Sequence, residues 1–199
     1  MDEMSTGGAK RAVLVEAVLR IVAEHGFDHV SVRQVASAAG VSIGTVQHYF
    51  PTKDEMLAAA FAEVARRVRA RLAAVTLGDD LRTNLSVVLR ELLPLDDDRT
   101  VEARIQVAFA AAAANSPSLS EIQHAVLTEI RQGLAEALAA GWPGSSPARC
   151  ALAAHLLIAL VDGLALHAVS AGDWLDERAQ AGALDLALDA LLGPDADDA

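Results

Sequence analysis

The sequence has few of the residues that stabilise small secreted proteins or β-sheets. It contains a single cysteine, Cys150, so no internal disulfide can form. Aromatic residues make up only 4% of the chain, although hydrophobic residues make up 53% and many of these are alanine. Alanine favours helices, whereas aromatic and β-branched residues favour strands. The composition therefore predicts closely packed helices and a reduced, cytoplasmic setting.

Long apolar runs and targeting signals are also lacking. The nearest candidate for a membrane span, residues 151–161, contains His155 and is shorter than the roughly 20 residues that cross a bilayer. The N-terminus carries acidic residues and no hydrophobic core, unlike a signal peptide. No Cys, His and Asp residues have the spacing of a metal site. We expect no cofactor and no membrane partner.

Acidic residues outnumber basic ones, and the excess lies in one part of the chain. The formal net charge is −11. Residues 1–75 hold nine Lys and Arg against eight Asp and Glu, a balance of +1, and the remaining residues hold seven against nineteen, a balance of −12. A nearly neutral N-terminal part can present a local basic face to nucleic acid. If the acidic residues only keep the chain soluble, the net charge is explained equally well. Their concentration after position 75 is not.

The segment SVRQVASAAGVSIGTVQHYF has residue choices that packing alone does not explain. Ser31 and Gln34 have the spacing of a capping box, which predicts the start of a helix. Gly40 can take the left-handed conformation that ends a helix, and Ser42 is a second N-cap whose helix Pro51 ends. Two short helices joined by a tight turn are typical of a helix-turn-helix. The second helix offers the small and hydrogen-bonding side chains that a helix in the major groove requires.

Residues at a fixed spacing between positions 10 and 57 carry a family resemblance. They are Gly26-Phe27, Val30-Ser31-Val32, Val35-Ala36, Gly40-Val41-Ser42, Gly44-Thr45, Tyr49-Phe50, Lys53 and Leu57. This pattern resembles the N-terminal DNA-binding domain of the TetR/AcrR family of transcriptional regulators. One position departs from it, since many members carry an aromatic residue, usually Tyr, where this chain has Gln47.

The resemblance implies a set of DNA-contacting residues. Arg33 matches a position that reads bases in the family, and Lys53 matches one that contacts phosphate. A cation in the first turn of a helix opposes the helix dipole, which also indicates an outside anion near Lys53, although an ordinary solvated lysine is the alternative. The full predicted set is Ser31, Arg33, Ser42, Ile43, Gly44, Thr45, Gln47, His48, Tyr49 and Lys53.

Turn signals and hydrophobic periodicity predict an all-α chain of roughly nine helices. The N-terminal three-helix domain precedes a larger helical domain. The predicted divisions are a flexible arm over 1–9 within a helix-turn-helix domain over 1–51, a connecting helix over 52–75, a ligand-binding and dimerisation domain over 76–193, and a tail over 194–199. On the connecting helix we predict salt bridging rather than DNA contact for the basic band of Arg66, Arg67, Arg69 and Arg71.

The resemblance implies that the second domain pairs two subunits through its last two long helices. The stretch around Asp162-Gly163-Leu164 also resembles the C-terminal domain of the betaine-type repressors. A palindromic operator is bound by two DNA-binding domains, one from each subunit, which we call heads. We therefore predict a homodimer. The leucines predicted at its interface are Leu152, Leu156, Leu160, Leu164, Leu184 and Leu188. A buried monomer core predicts the same spacing.

In the family the middle helices enclose a ligand, and polar residues that interrupt apolar faces are candidates for this pocket. The candidates are Gln106, Gln123, His124, His155 and Asp162, with Phe109, which would either line a cavity or fill it. A hydrogen-bonded core residue gives the same pattern as a ligand contact. We expect a small, mostly apolar effector.

Two other classes of protein compete with a regulator. Gly40-Val41-Ser42-Ile43-Gly44 fits the nucleophile elbow of serine hydrolases, and Asp162 and His167 follow in a permissible order. An elbow follows a buried strand, whereas the preceding VRQVASAA has helical spacing, so we predict no enzyme. A helical adaptor with a protein-docking head is the second alternative. We favour a homodimeric repressor that a small-molecule effector releases from a palindromic DNA operator.

Overall fold

The computed structural model describes residues 3–193, apart from the side chains of residues 3–6 and 173. In this range the chain forms nine α-helices, two single-turn 3₁₀ helices and no strand, which confirms the predicted all-α fold. The α-helices are α1 (Glu3–His25), α2 (Val32–Ala39), α3 (Ile43–Tyr49), α4 (Lys53–Ala74), α5 (Leu81–Arg90), α6 (Asp97–Ala113), α7 (Pro117–Gly141), α8 (Pro147–Ser170) and α9 (Glu177–Leu192). The 3₁₀ helices are Phe27–His29 and Gly172–Trp174.

Helix α1 begins earlier than the sequence indicated. Residues 3–9 are helical, whereas we predicted a flexible arm over 1–9. Gly7 and Gly8 each disfavour a helix by about 1 kcal/mol relative to alanine. The same helix buries Leu14 and Val18 in the core, and such packing stabilises a helix more than propensity does. The first two residues of the predicted arm, and the predicted tail, lie outside the described residues.

The described chain folds into two compact units. The first comprises the chain up to Arg67 together with Val101–Gln123, and the second comprises Val68–Thr100 and the chain from His124 onward. Helices α4, α6 and α7 each contribute residues to both units. The first unit therefore extends beyond the helix-turn-helix domain that we predicted over residues 1–51.

The first unit has a core built around its three N-terminal helices. Helix α1 packs on α2, and α2 packs on α3. Val35 and Val46 are completely buried between them. Phe61 of α4 and Phe109 of α6 stack in the same unit, with ring centroids 4.0 Å apart and ring planes inclined by 9°. Parallel stacking of two buried rings fixes α4 against α6.

The second unit has a separate core, to which α5, α7, α8 and α9 contribute. Leu89, Leu138, Leu157 and Leu188 are each at most 1% exposed. Cys150 lies among them and is also buried, so its thiol is shielded from solvent. The centre of this unit is aliphatic, which agrees with the low aromatic content of the sequence.

Ion pairs at the edge of the second core join α5 to α9. Arg82 donates to Asp189 at 2.8 Å, and Arg90 donates to Asp185 at 2.5 Å. The Ser86 hydroxyl donates to the same Asp185 carboxylate at 2.9 Å. These bonds lower the pKa of Asp185, although its desolvation acts in the opposite direction. Helix α5 is thereby held along the last helix over nearly its whole length.

The arginines of α4 are paired with carboxylates, which confirms the predicted salt bridging of this band. Every pair has a nitrogen to oxygen distance of 3.0 Å or less. The pairs are Arg66–Glu63, Arg67–Glu63, Arg67–Glu16, Arg69–Glu129 and Arg71–Glu91. Partly exposed pairs of this kind contribute only about 0–1 kcal/mol each, but they leave these arginines already occupied by partners.

Helix α8 extends on both sides of the apolar run 151–161. That run is too short to cross a membrane, whereas the whole helix Pro147–Ser170 is long and apolar enough to do so by length and composition. Helices in the cores and interfaces of water-soluble proteins meet the same criterion. This finding is therefore weak evidence about membranes.

Glu63→Gln should destabilise the first unit near neutral pH. The hydrogen bond from Arg66, followed by one from Arg67, lowers the pKa of the Glu63 carboxyl from 4.5 to about 2. The unfolded state therefore binds this proton more readily, so the stabilisation is complete above pH 4.5 and is lost as the pH falls towards about 2. We expect urea denaturation to show a loss of about 1 kcal/mol near neutral pH, which disappears in acid.

Glu121→Gln is the matched control, since Glu121 is an exposed carboxylate of α7 in the same unit. We expect this variant to unfold like the parent protein. Equal losses for the two variants, or a loss for Glu63→Gln that does not change with pH, would show that the ion pairs of Glu63 are not the cause.

Candidate nucleic-acid interface

The turn between α2 and α3 depends on the backbone of Gly40. Its φ of 67° and ψ of 33° are left-handed, which disfavours any residue with a Cβ. Immediately after it, the Val41 N–H donates to the Ala36 carbonyl at 3.0 Å. At the start of α2 the Gln34 N–H donates to the Ser31 hydroxyl oxygen at 3.2 Å, which confirms the predicted cap.

Helix α3 begins at the second predicted cap. The Thr45 N–H donates to the Ser42 hydroxyl oxygen at 3.1 Å, and the two hydroxyl oxygens lie 2.9 Å apart. Val46 faces the core with no exposed surface, and Phe50 at the end of the helix is 1% exposed. Burial of these two side chains determines which face of α3 points outward.

The outward face of α3 carries most of the predicted DNA-contacting residues. Of these residues, Ile43, Gly44, Gln47 and His48 are exposed, and Thr45 and Tyr49 are half-buried. Ser31 and Arg33 are exposed at the start of α2. The segment from Ser31 to Phe50 contains no Asp or Glu, so it adds no carboxylate of its own that would repel a phosphate backbone.

Lys53, the remaining predicted DNA contact, lies in the first turn of α4. Thr52 caps this helix, since its hydroxyl oxygen accepts from the Glu55 N–H at 3.2 Å. The Lys53 ammonium lies 4.6 Å from the centroid of the Phe27 ring and donates to the Asp28 carbonyl at 3.5 Å. The side chain is exposed but has defined neighbours.

The six predicted pocket residues are divided between the two units. The first unit holds Gln106, Phe109 and Gln123, and the second holds His124, His155 and Asp162. Phe109 has no exposed surface and stacks on Phe61, so it fills the core of its unit. His124 and His155 are exposed. The buried Oε1 of Gln123 has no hydrogen-bond partner.

An open cleft of about 670 Å³ lies in the second unit, near the end of α8 and the start of α9. Its lining residues are Pro94, Thr100, Ala168, Val169, Gly172, Leu175, Asp176, Glu177, Arg178 and Gln180. None of the six predicted pocket residues belongs to this lining. In the described part of the chain, no three His, Cys, Asp or Glu side chains gather where they could hold a metal ion.

The predicted dimer leucines fall into two groups. Leu152 and Leu156 are 70% and 57% exposed, and Leu160 is half-buried. The prediction is wrong for the other three, which are packed in the core of the second unit at 9%, 0% and 0% exposure: Leu164, Leu184 and Leu188. A spacing of four residues is common to core and interface faces, so it did not tell which face was which.

Two further leucines, Leu166 of α8 and Leu186 of α9, are 42% and 72% exposed and were not predicted from the sequence. At 3.6 residues per turn, Leu166 shares a face of α8 with the predicted Leu152 and Leu156. Ala159 lies between them on the same face and is also exposed. We call these four residues the exposed α8 face. A helical plot groups these residues on one face of α8, but it does not show whether that face is core or surface.

The structure rejects the serine hydrolase alternative. Ser42 caps a helix after a tight turn, and the segment before that turn is helix α2 rather than a strand. Its hydroxyl bonds to Thr45. The candidate partners Asp162 and His167 belong to α8 of the second unit, whereas Ser42 belongs to the first. The strained strand-to-helix elbow that exposes a nucleophilic serine is therefore absent at this position.

Two short capped helices, a left-handed turn and an outward second helix without carboxylates define a helix-turn-helix nucleic-acid-binding protein. Comparison with known proteins agrees with this class. Residues 14–60 match the model of the bacterial regulatory proteins of the tetR family, and residues 81–193 match that of the BetI-type transcriptional repressor C-terminal domain. The chain therefore belongs to the TetR family, with a C-terminal domain of the BetI type.

Individual proteins give the same result. The transcriptional regulator BetI of Burkholderia thailandensis is 33% identical, over 98% of this chain and 99% of that protein. The crystal structure of a transcriptional regulator from Rhodococcus sp. Rha1 is 42% identical with a TM-score of 0.84, covering 92% of this chain and 95% of that one. A Saccharomonospora viridis regulator solved in complex with choline has a TM-score of 0.76 but only 20% identity, over 89% and 94% of the two chains, and shows the fold alone.

Membership of this family decides between the classes that the sequence left open. The protein is a DNA-binding transcriptional regulator of the repressor type and not an enzyme. A helical adaptor with a protein-docking head is not supported, because both halves of the chain match regulator domains.

Proposed function

We propose that the protein is a homodimeric repressor that binds a palindromic operator in the cytoplasm and leaves it when a small molecule binds the second domain. The observation that carries this proposal is the surface of α3. Its inner side is fixed by Val46, while Ile43, Gly44, Gln47 and His48 are turned to solvent, and the segment of residues 31–50 contains no Asp or Glu. A helix presented in this way fits the major groove.

The proposed DNA contacts divide by chemistry. Thr45, Gln47 and His48 have hydrogen-bonding groups for base edges, while Ile43 and Gly44 allow the start of α3 to approach closely. Arg33, exposed on α2, has the guanidinium that pairs with guanine. Phosphate contacts come from residues at helix starts and at the rim, where backbone N–H groups and a cation favour an anion: Ser31, Ser42, Tyr49 and Lys53.

The exposed α8 face supports pairing with a second copy of the chain. Leu152 and Leu156 leave most of their surface in water, and Leu186 of α9 does so in the same unit. Ala159 adds a small side chain that permits a neighbouring helix to come close. An apolar face of this kind on a repressor is best covered by its symmetry mate, because two heads are needed for a palindrome.

The effector is proposed to be a small organic cation or a similarly small apolar molecule. The BetI-type C-terminal domain and a choline complex of a protein with the same fold make choline the first compound to test. The acidic balance of the residues after position 75 also favours a cation. Helix α4 runs without interruption from Lys53 to Ala74, and we propose that it transmits the effect of the ligand to the head.

Selection from a random pool of DNA duplexes at physiological salt tests the function as a whole. We expect the purified protein to enrich a palindromic sequence, and choline or another effector to weaken binding to it. Enrichment of a palindrome that no compound releases would support the repressor but not choline as its effector. A folded dimer that enriches no sequence, with or without choline, would refute the proposal and make Gln47 the first residue to examine.

Arg33→Ala and Lys53→Ala should weaken DNA binding in different ways. Loss of a base contact at Arg33 should cost about 1–3 kcal/mol on the selected site and relax its sequence preference. Loss of a phosphate contact at Lys53 should weaken all sequences alike and make the salt dependence less steep. Fluorescence anisotropy on the selected site and on a scrambled duplex, over a series of salt concentrations, measures both. Identical behaviour of the two variants would contradict this division of roles.

Leu156→Glu should separate the dimer. It places two carboxylates in a symmetric interface, which should weaken association by about a hundredfold or more. Leu77→Glu is a matched control, because Leu77 is 56% exposed, as against 57% for Leu156, but lies in the loop after α4. Sedimentation velocity should show monomers for Leu156→Glu and dimers for the control. Two dimeric variants would place the interface elsewhere.

A further inference from the structure

Lys53 occupies a position that its own helix disfavours. It is the first residue of α4, where the unpaired N–H groups make the helix end positive and acidic residues such as Asp54 and Glu55 are preferred. The ammonium is nevertheless held in place by two neighbours outside α4. It lies 4.6 Å from the centroid of the Phe27 ring and 3.5 Å from the Asp28 carbonyl oxygen. A specific contact therefore compensates for the unfavourable helix end.

Phe27 is placed by a turn that only glycine adopts readily. Gly26 has φ of 80° and directs the chain away from α1 into the 3₁₀ helix Phe27–His29. Val30, directly after this turn, is 2% exposed and anchors it to the core. Phe27 itself is only half-buried, so its ring can contact Lys53. The ring is thus only partly packed, and its contact with Lys53 accounts for part of the remainder.

We propose that Phe27 is a positioning residue for DNA binding, whose ring holds the Lys53 ammonium where it meets a backbone phosphate. This inference rests on the proposed phosphate contact of Lys53 and adds the residue that makes this contact effective. The electron-rich face of a phenyl ring attracts a cation without satisfying its N–H donors. The ammonium can therefore keep the ring beside it while its N–H groups turn from the Asp28 carbonyl to phosphate.

The contact should increase DNA affinity because it restricts the Lys53 side chain before DNA binds. A lysine side chain has four rotatable carbon bonds, and fixing it at an interface opposes binding. When the ring already restricts the ammonium, less of this cost is left for the binding step. Cation–π contacts at exposed sites correspond to about a two- to fivefold change in an equilibrium constant. Loss of the ring should weaken DNA binding by about that factor, and only while Lys53 is present.

The competing explanation is that Phe27 serves the fold alone. In that case its ring stabilises the 3₁₀ helix whether or not Lys53 is present, and removing it loosens the DNA-binding domain in either background. Both explanations predict weaker binding for each single variant. They differ in whether the effect of Phe27 on DNA affinity depends on Lys53.

A double-mutant cycle on DNA affinity separates them. The full-length proteins are the parent, Phe27→Leu, Lys53→Ala and the double variant, with Phe27→Tyr as the conservative control that keeps an aromatic ring. Binding to the selected operator is measured by fluorescence anisotropy over a salt series. Thermal unfolding of each protein gives the temperature at which all of them are folded, and binding is measured below it.

We expect Phe27→Leu to bind about two- to fivefold more weakly than the parent, and to bind like Lys53→Ala once Lys53 is absent. Phe27→Tyr should bind like the parent, with the same salt dependence. An equal loss from Phe27→Leu in both backgrounds, or no loss in the parent background, would overturn the positioning role. If the parent itself selects no operator, the proposed function fails first, and that result is visible before any variant is compared.

Discussion

Burial of Val46 and Phe50 is the interaction on which the DNA-binding surface depends. Helix α3 has seven residues, fewer than an isolated helix needs to be stable in water. It is held instead by these two side chains, by the Ser42 cap at its start and by the left-handed turn at Gly40 before it. Because the same two side chains fix the rotation of α3, they also determine which residues face solvent. The two side chains that stabilise α3 therefore also determine which of its residues can contact DNA.

The distribution of paired charge complements that arrangement. The arginines of α4 are bonded to glutamates, whereas Arg33 on α2 is exposed in a segment, residues 31–50, that has no Asp or Glu. A protein of net charge −11 can therefore still present a cation to DNA, because its basic residues are used differently in different places. Carboxylates of the second unit are in part engaged as well, as the bonds of Asp185 to Arg90 and Ser86 illustrate.

The caps and turns were predictable from sequence because each depends on residues a few positions apart. Ser31, Ser42 and Gly40 have local bonding patterns that few other residue types supply, and all three adopt the predicted roles. The sequence did not show in the same way which side of each C-terminal helix is buried. Leu156 and Leu164 both fit a spacing of four residues, yet one is 57% exposed and the other 9%. Their difference arises from packing against α5, α7 and α9, which a spacing rule does not contain.

Helix α8 has an apolar side that the fold of a single chain does not bury. One side of it, with Leu157 and Val161, is packed in the core of the second unit, so the helix is stable within a single chain. The other side leaves Leu152, Leu156 and Leu166 in water, although nothing in the fold of one chain requires leucine there. Single exposed leucines are normal on protein surfaces, but several on one helix face mark a contact surface. The membrane-like composition of α8 is then the sum of two apolar faces, one packed in the core of its own chain and one exposed, which we propose a second copy covers.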